Sequence, residues 1–231
     1  DNILIHSNVA GIYQFSKNKK NYNRNLEEFF KIILSHIGKK GTILIPTYNY
    51  NFTKGKHFDK KKSLSQVGEL GNFLIKKYPN SRTNDPIFSH VVFGKLKKNI
   101  FNCSINEAFG DKSIFNLILK KKFKIICFCT SPATMTFIHF LEKKLNVNYR
   151  FNKYFKSSII LNNKKVTILY KYCVGKKKFK YNLKENKILN LLGKKLISKN
   201  FGRFICTQID TKELYNKIKK KLSENKYFLI K

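Results

Sequence analysis

The chain has 231 residues and carries 48 Lys plus Arg against 13 Asp plus Glu, a formal charge of +35, with 42 % hydrophobic and 14 % aromatic residues. That apolar content can bury a sizeable core in one large α/β domain, so the composition excludes a disordered chain. No apolar run approaches the roughly 18 residues a membrane-spanning helix needs, and no repeat of a fibrous or solenoid kind is present.

The chain opens without Met, directly on a strand-like run, Ile3–His6, from which we expect a truncated N-terminus. Asn25–His36 reads as a helix with Leu26, Phe29, Phe30, Ile33 and Leu34 on one face, Asn25 as its N-cap and Glu27 and Glu28 in its first turn. Gly38 and Gly41 end it. Thr42–Ile45 is a buried strand closed by Pro46, and the polar stretch Asn49–Ser65 reads as a long loop. Gly68–Tyr78 is expected to be helical, Val91–Phe93 a strand and Ser113–Leu119 a short helix.

Lys124–Thr130 is the most hydrophobic strand, and Pro132 is expected to open a helix running to about Leu145. Ser157–Leu161 and Val166–Tyr170 flank Asn162-Asn163-Lys164 as a hairpin. Glu185–Lys199 reads as a helix, Arg203–Thr207 as a strand and Thr211–Leu222 as a closing helix capped by Asp210 or Thr211. Residues 1–231 thus read as one α/β domain: a central mixed sheet flanked by helices, with a small late β-hairpin.

The five cysteines are odd in number and scattered, without a C-x-x-C pair, so neither a disulfide framework nor a metal cage is indicated. They fit a reducing, cytoplasmic setting. Cys127 and Cys129, two apart in a strand, would face the same side. The charge is almost all Lys; the four arginines are Arg24, Arg82, Arg150 and Arg203. Base-reading proteins lean on Arg, and the lysines here are spread over every segment, so we expect a solvated surface that attracts anions rather than a specific nucleic-acid footprint. A non-enzymatic, lysine-rich nucleic-acid or anion-binding protein is the competing class.

G-x-G-x-x-G, G-x-x-x-x-G-K-[ST], G-x-S-x-G and H-E-x-x-H are all absent, which removes the enzyme classes built on them. What remains is Thr136-x-x-His139-x-x-Glu142. Spacing i, i+3 puts the imidazole and the carboxylate on one helix face, where the carboxylate orients the ring and stabilises the imidazolium of a general base. A surface ion pair fits the same spacing, as does half of a metal site, though no second His/carboxylate pair accompanies it. Arg82-Thr83-Asn84-Asp85-Pro86, with Ser89 and His90, converges polar groups in one loop; an ordinary turn with an Arg–Asp pair would do the same. His6-Ser7-Asn8 lies at the end of the first strand, where open sheets bind ligands, though His6 also fits a satisfied strand-end histidine.

These clusters occur in one order: His6-Ser7-Asn8; Gly41-Thr42 through Pro46-Thr47; Arg82 through Pro86 with Ser89; Phe109-Gly110-Asp111-Lys112-Ser113; and Thr136-x-x-His139-x-x-Glu142 with Tyr149-Arg150. The pattern resembles that of the aminoglycoside 3-N-acetyltransferase family, over nearly the whole chain. The resemblance implies an acetyl-CoA-dependent N-acetyltransferase with acetyl-CoA as co-substrate, no metal and direct transfer in a ternary complex. On it His139 is the general base and Glu142 its partner. His6, Ser7, Asn8, Gly110 and Ser113 line the cofactor site, and Thr47, Arg82, Asp85, Ser89 and Thr136 shape the substrate cleft. Four positions depart from the family pattern: Asn8 for a second Ser, Asp85 for a His, Ile114 for a Pro and Leu141 for a small residue before the Glu. Drug-modifying members tend to carry an acidic substrate face, whereas this chain would repel a polycation. We therefore expect the acceptor to be an amino sugar with an anionic group, such as a nucleotide-linked precursor of surface polysaccharide, ahead of an aminoglycoside. The resemblance leaves room for a homodimer and implies no membrane insertion.

Overall fold

A computed structural model describes residues 1–15, 21–181 and 185–230. Six strands form one mixed sheet in the order β3-β2-β1-β4-β8-β7. Its centre is parallel: β1 (Asn2–Ser7) pairs with β2 (Thr42–Pro46) on one side and β4 (Lys124–Phe128) on the other. Antiparallel strands flank this trio, β3 (His90–Gly94) against β2, and β8 (Phe204–Asp210) with β7 (Ile197–Phe201) against β4.

The centre is buried on both faces because its side chains alternate between two cores. Ile3 and Ile5 of β1, with Ile43 and Ile45 of β2, face α1 (Val9–Phe15), α2 (Tyr22–Ile37) and α3 (Glu69–Lys77). Leu4, Leu44, Ile125 and Cys127 face the larger core, formed with α5 (Ile114–Lys120), α6 (Phe137–Lys144), α7 (Glu185–Leu192) and α8 (Thr211–Glu224); the short helix α4 (Lys97–Phe101) adds Ile100. No helix among the described residues is long and apolar enough to cross a membrane.

Several boundaries differ from expectation, each for a local reason. The first long helix begins at Tyr22, capped by Asn21, whose side chain accepts from the Arg24 amide; Asn25 is a buried helix residue, and no acid lies in the first turn. The helix expected from Pro132 is a single 3-10 turn, Pro132–Thr134, capped by Ser131. Met135 is extended and buried, so the helix restarts only at Phe137. The helix expected to reach Lys199 stops at Leu192, because Gly193 turns left-handed at φ +51°, and Ile197–Phe201 then pairs with β8. Strand β4 ends at Phe128, and Cys129 swings to φ +57°. Its sulfur lies 3.5 Å from that of Cys206 instead of sharing the core with Cys127.

The hairpin is longer than the sequence indicated and stands apart from the main sheet. β5 (Arg150–Leu161) and β6 (Lys164–Gly175) pair over their full length around Asn162 and Asn163, both at positive φ, the geometry tight hairpin turns favour. An isolated bridge, Phe58 with Ile159, ties it to the polar loop, and a second, Glu107 with Lys171, ties it to the segment before α5.

Candidate active site

On α6 the i, i+3 spacing works as expected: His139 Nδ1 lies 2.9 Å from Glu142 Oε2. The two differ sharply in environment, since the His139 side chain is 40 % exposed and that of Glu142 only 3 %. Arg150, first residue of β5, closes the group. Its Nε donates to the same Oε2 at 2.5 Å, and its Nη2 lies 2.5 Å from His139 Nδ1. Burial pushes the Glu142 carboxyl up, but the His139 hydrogen bond and the Arg150 charge outweigh it, so the group sits below its ordinary range and is ionised at neutral pH. A half-exposed imidazole backed by a buried carboxylate can take a proton from a bound molecule.

A cleft of about 220 Å³ opens at the C-terminal ends of β1 and β2, where open sheets place ligands. His6, Ser7, Tyr48, Tyr50, Thr130 and Thr136 contribute to its wall. Thr136 makes no side-chain cap bond to α6; its side chain lines the cleft beside the Tyr48 hydroxyl, with which it interacts. His6 Nε2 is buried with no hydrogen-bond partner among the described residues, and burial holds the ring down at about 4. Behind it, burial and the proximity of His6 hold His90 at about 3, with Nε2 3.3 Å from the Tyr48 hydroxyl. Two neutral imidazoles thus underlie the cleft. Asn8 does not line it; its Oδ1 accepts from the Ala10 amide at the start of α1.

The polar loop around Arg82 turns inward. Arg82 is fully buried, and its Nε donates to Thr47 Oγ1 and Ser89 Oγ at 3.1 and 3.0 Å. Its terminal nitrogens donate to the carbonyls of Thr47, Lys60 and Ser63. Thr47, Arg82 and Ser89 therefore bind one another and clamp the polar loop to the end of β2. Asp85 is also internal: its Oδ1 accepts from the amides of Ile87 and Phe88, and both oxygens lie 3.0 Å from the Tyr170 hydroxyl of β6. Burial raises it to about 6 against those bonds.

Gly110 and Ser113 lie elsewhere. Ser113 caps α5, its Oγ accepting from the Asn116 amide. Gly110 lines a second cleft of about 380 Å³ with Phe140, Lys143, Lys144 and Lys171. The structure thus gathers His139 and Glu142, His6 with Ser7 and Thr136, and Thr47 with Arg82 and Ser89, as three separate groups. Sequence reasoning passed over Tyr48 and Tyr50 in the cleft wall, Tyr170 under Asp85, and the part Arg150 takes beside Glu142. Two signals bear on Arg150: its place with Tyr149 in the last of the ordered clusters, and its rarity, since in a chain whose basic residues are nearly all Lys an Arg points to a place where a planar, multi-donor cation is needed.

Comparison with known proteins adds four findings. A family model described as aminoglycoside 3-N-acetyltransferase matches residues 4–223. Among solved structures, an AAC-IIIb binary complex with CoASH superposes with a TM-score of 0.80 at 13 % identity, covering 97 % of this chain and 90 % of that one. The YokD protein of Bacillus subtilis superposes at 0.74 and 16 % identity, over 97 % and 87 % of the two chains. A curated relative, the RecBCD enzyme subunit RecB of Buchnera aphidicola subsp. Baizongia pistaciae (strain Bp), is 24 % identical over 283 residues; the chain spans 24 % of that subunit's length. That alignment is longer than the 231-residue chain and so carries many gaps.

Proposed function

Because this chain belongs to the aminoglycoside 3-N-acetyltransferase family, we propose that it is an acyltransferase that moves an acetyl group from acetyl-CoA to an amine of an amino sugar, with His139 as the general base. The observation that carries the reading is the His139–Glu142 pair: an imidazole open to solvent on one side and held by a buried, ionised carboxylate on the other. Acetyl-CoA would supply the activated acyl group, with CoA thiolate as the leaving group when the thioester bond breaks. His139 takes the proton the acceptor amine must lose to become a nucleophile. In that role its Nδ1–H donates to Glu142 Oε2, and the imidazolium that forms faces a carboxylate already in place. The cleft at the ends of β1 and β2 receives the acyl carrier, with His6 Nε2 offering a buried polar atom still in want of a partner.

The acceptor carries an anionic group. Three carboxylates are engaged by the chain itself: Glu142 by Arg150, Asp85 by Tyr170 and two amides, and Glu107 by Lys171 at 3.0 Å. With those carboxylates occupied, a polycation would meet the field of a +35 chain. The test is release of CoA thiol from acetyl-CoA with two acceptor panels, nucleotide-linked amino sugars and kanamycin-like drugs. We expect turnover of the first, and a drop of roughly 10²-fold or more in kcat for His139→Ala with acetyl-CoA binding retained. Acetylation of the drugs alone would overturn the anionic acceptor, and a His139→Ala enzyme at full rate would overturn the base.

A further inference from the structure

Arg150 reaches from the first residue of β5 to the two residues that carry the chemistry. Its side chain is 6 % exposed. Besides the contacts to Glu142 and His139, its Nη1 donates to the Cys173 carbonyl of β6 at 3.3 Å, and its guanidinium lies 5.6 Å from the centre of the Tyr181 ring. The guanidinium is thus held from three sides, and a single lysine ammonium has neither the number nor the spread of donors to replace it.

A buried carboxylate beside an imidazole stabilises the charged ring, and a ring that is already protonated cannot act as a base. Arg150 sets a permanent positive charge as close to the ring as the carboxylate is. Its effect on the two ring states differs. A neutral ring finds a partner in either tautomer, donating from Nδ1–H to Glu142 or accepting at a bare Nδ1 from Nη2. An imidazolium gains only Glu142 and meets a like charge. The other titratable groups around the cluster do not supply this charge. Burial pushes Tyr149, Tyr172, Cys173 and Tyr181 up, so they are neutral at physiological pH; the other cations nearby are Lys143 of α6 and Lys171 of β6, the latter paired with Glu107 at 3.0 Å.

We propose that Arg150 is a positioning residue that cancels the charge of Glu142 and fixes its carboxylate, so that His139 meets the acceptor as a neutral imidazole. The proposal rests on the reading of His139 as the base. Glu142 and Arg150 then act as a matched pair: one orients the ring and the other keeps it unprotonated until the amine arrives.

The experiment follows the His139 ring by NMR across pH in wild type, Arg150→Met, Glu142→Gln and the double variant, alongside the acid limb of kcat/KM. His139→Gln identifies the resonance. Removing the positive charge should raise the titration midpoint and the limb by about one pH unit or more, and removing the negative charge should lower both. The double variant should return the midpoint close to wild type, and Arg150→Lys, which keeps the charge but not the fork, should hold the midpoint while lowering kcat. A merely structural role would produce no such opposed shifts. Unchanged midpoints in Arg150→Met and Glu142→Gln would overturn the proposal. If Arg150→Met alone does not fold, because it leaves Glu142 buried and unpaired, the Glu142→Gln and double variants still decide it. Full activity in His139→Gln would overturn the base reading itself, whereas an inactive His139→Gln with a ring titration indifferent to both charges would overturn only the role of Arg150.

Discussion

Arg82 and Arg150 are both buried in a chain whose other basic side chains are nearly all lysine, and they meet opposite company. Arg82 is surrounded by neutral oxygens, the hydroxyls of Thr47 and Ser89 and three carbonyls, with the Phe58 ring 4.8 Å from its guanidinium carbon. Burial pulls it down to about 9, with only the charge of Asp59 working the other way. Arg150 instead faces a carboxylate and a titratable ring. The first arrangement joins loop to sheet and has no proton to move. The second sits where protonation states change. Burial of an arginine by itself says nothing about chemistry; what its donors meet does.

The sharpest way to separate the two is to remove each charge. Arg82→Met leaves several buried oxygens without donors and frees the polar loop, and should cost about 3 kcal/mol in denaturant unfolding. Arg150→Met with Glu142→Gln removes both members of an ion pair and should cost less than about 2 kcal/mol, although it impairs turnover. Equal stability losses would break the contrast.

Acid provides the next test. His6 and His90 are held at about 4 and about 3, below their ordinary 6.5, so the unfolded chain binds protons first. Their contribution is complete above pH 6.5 and is lost as pH falls toward 4, at roughly 1.4 kcal/mol per pH unit for each ring. Thermal unfolding between pH 7 and 4 should show this loss, and a flat profile would contradict the two neutral imidazoles beneath the cleft. The smallest effect concerns Asp85, raised from 3.8 to about 6. There the folded chain takes the proton first, so this group adds stability as pH falls from 6 to 4 and partly offsets the histidines. Asp85→Asn keeps an acceptor for the two amides and should steepen the acid loss within that window alone.

How far the sequence foretold these regions depended on the range of the interaction. The central strands were legible because Ile3 to Ile5, Ile43 to Ile45 and Ile125 to Phe128 are apolar on both faces, and the His139–Glu142 pair because one helix turn dictates it. Helix α1 escaped notice, being only seven residues long with Gly11 in its middle. The expected helix runs three residues into β7, to Lys199, because Ile197–Phe201 is strand only by virtue of its partner β8. The polar cluster at Arg82 shows the same limit at the level of a site. Its residues do converge, but composition does not reveal whether they converge on solvent or on one another.

The position of β1 also bears on how the molecule assembles. Its neighbours come from distant parts of the chain, Asn2 pairing with Thr42 and Ile3 with Lys124, whereas β5 with β6 and β7 with β8 are joined by tight turns. Loop closure makes the distant pairings slow, so the hairpins can be in place while the first strand is still searching for its slot. His6 and Ser7 ride on that strand, so the wall they give the cleft is complete only once β1 has docked between β2 and β4.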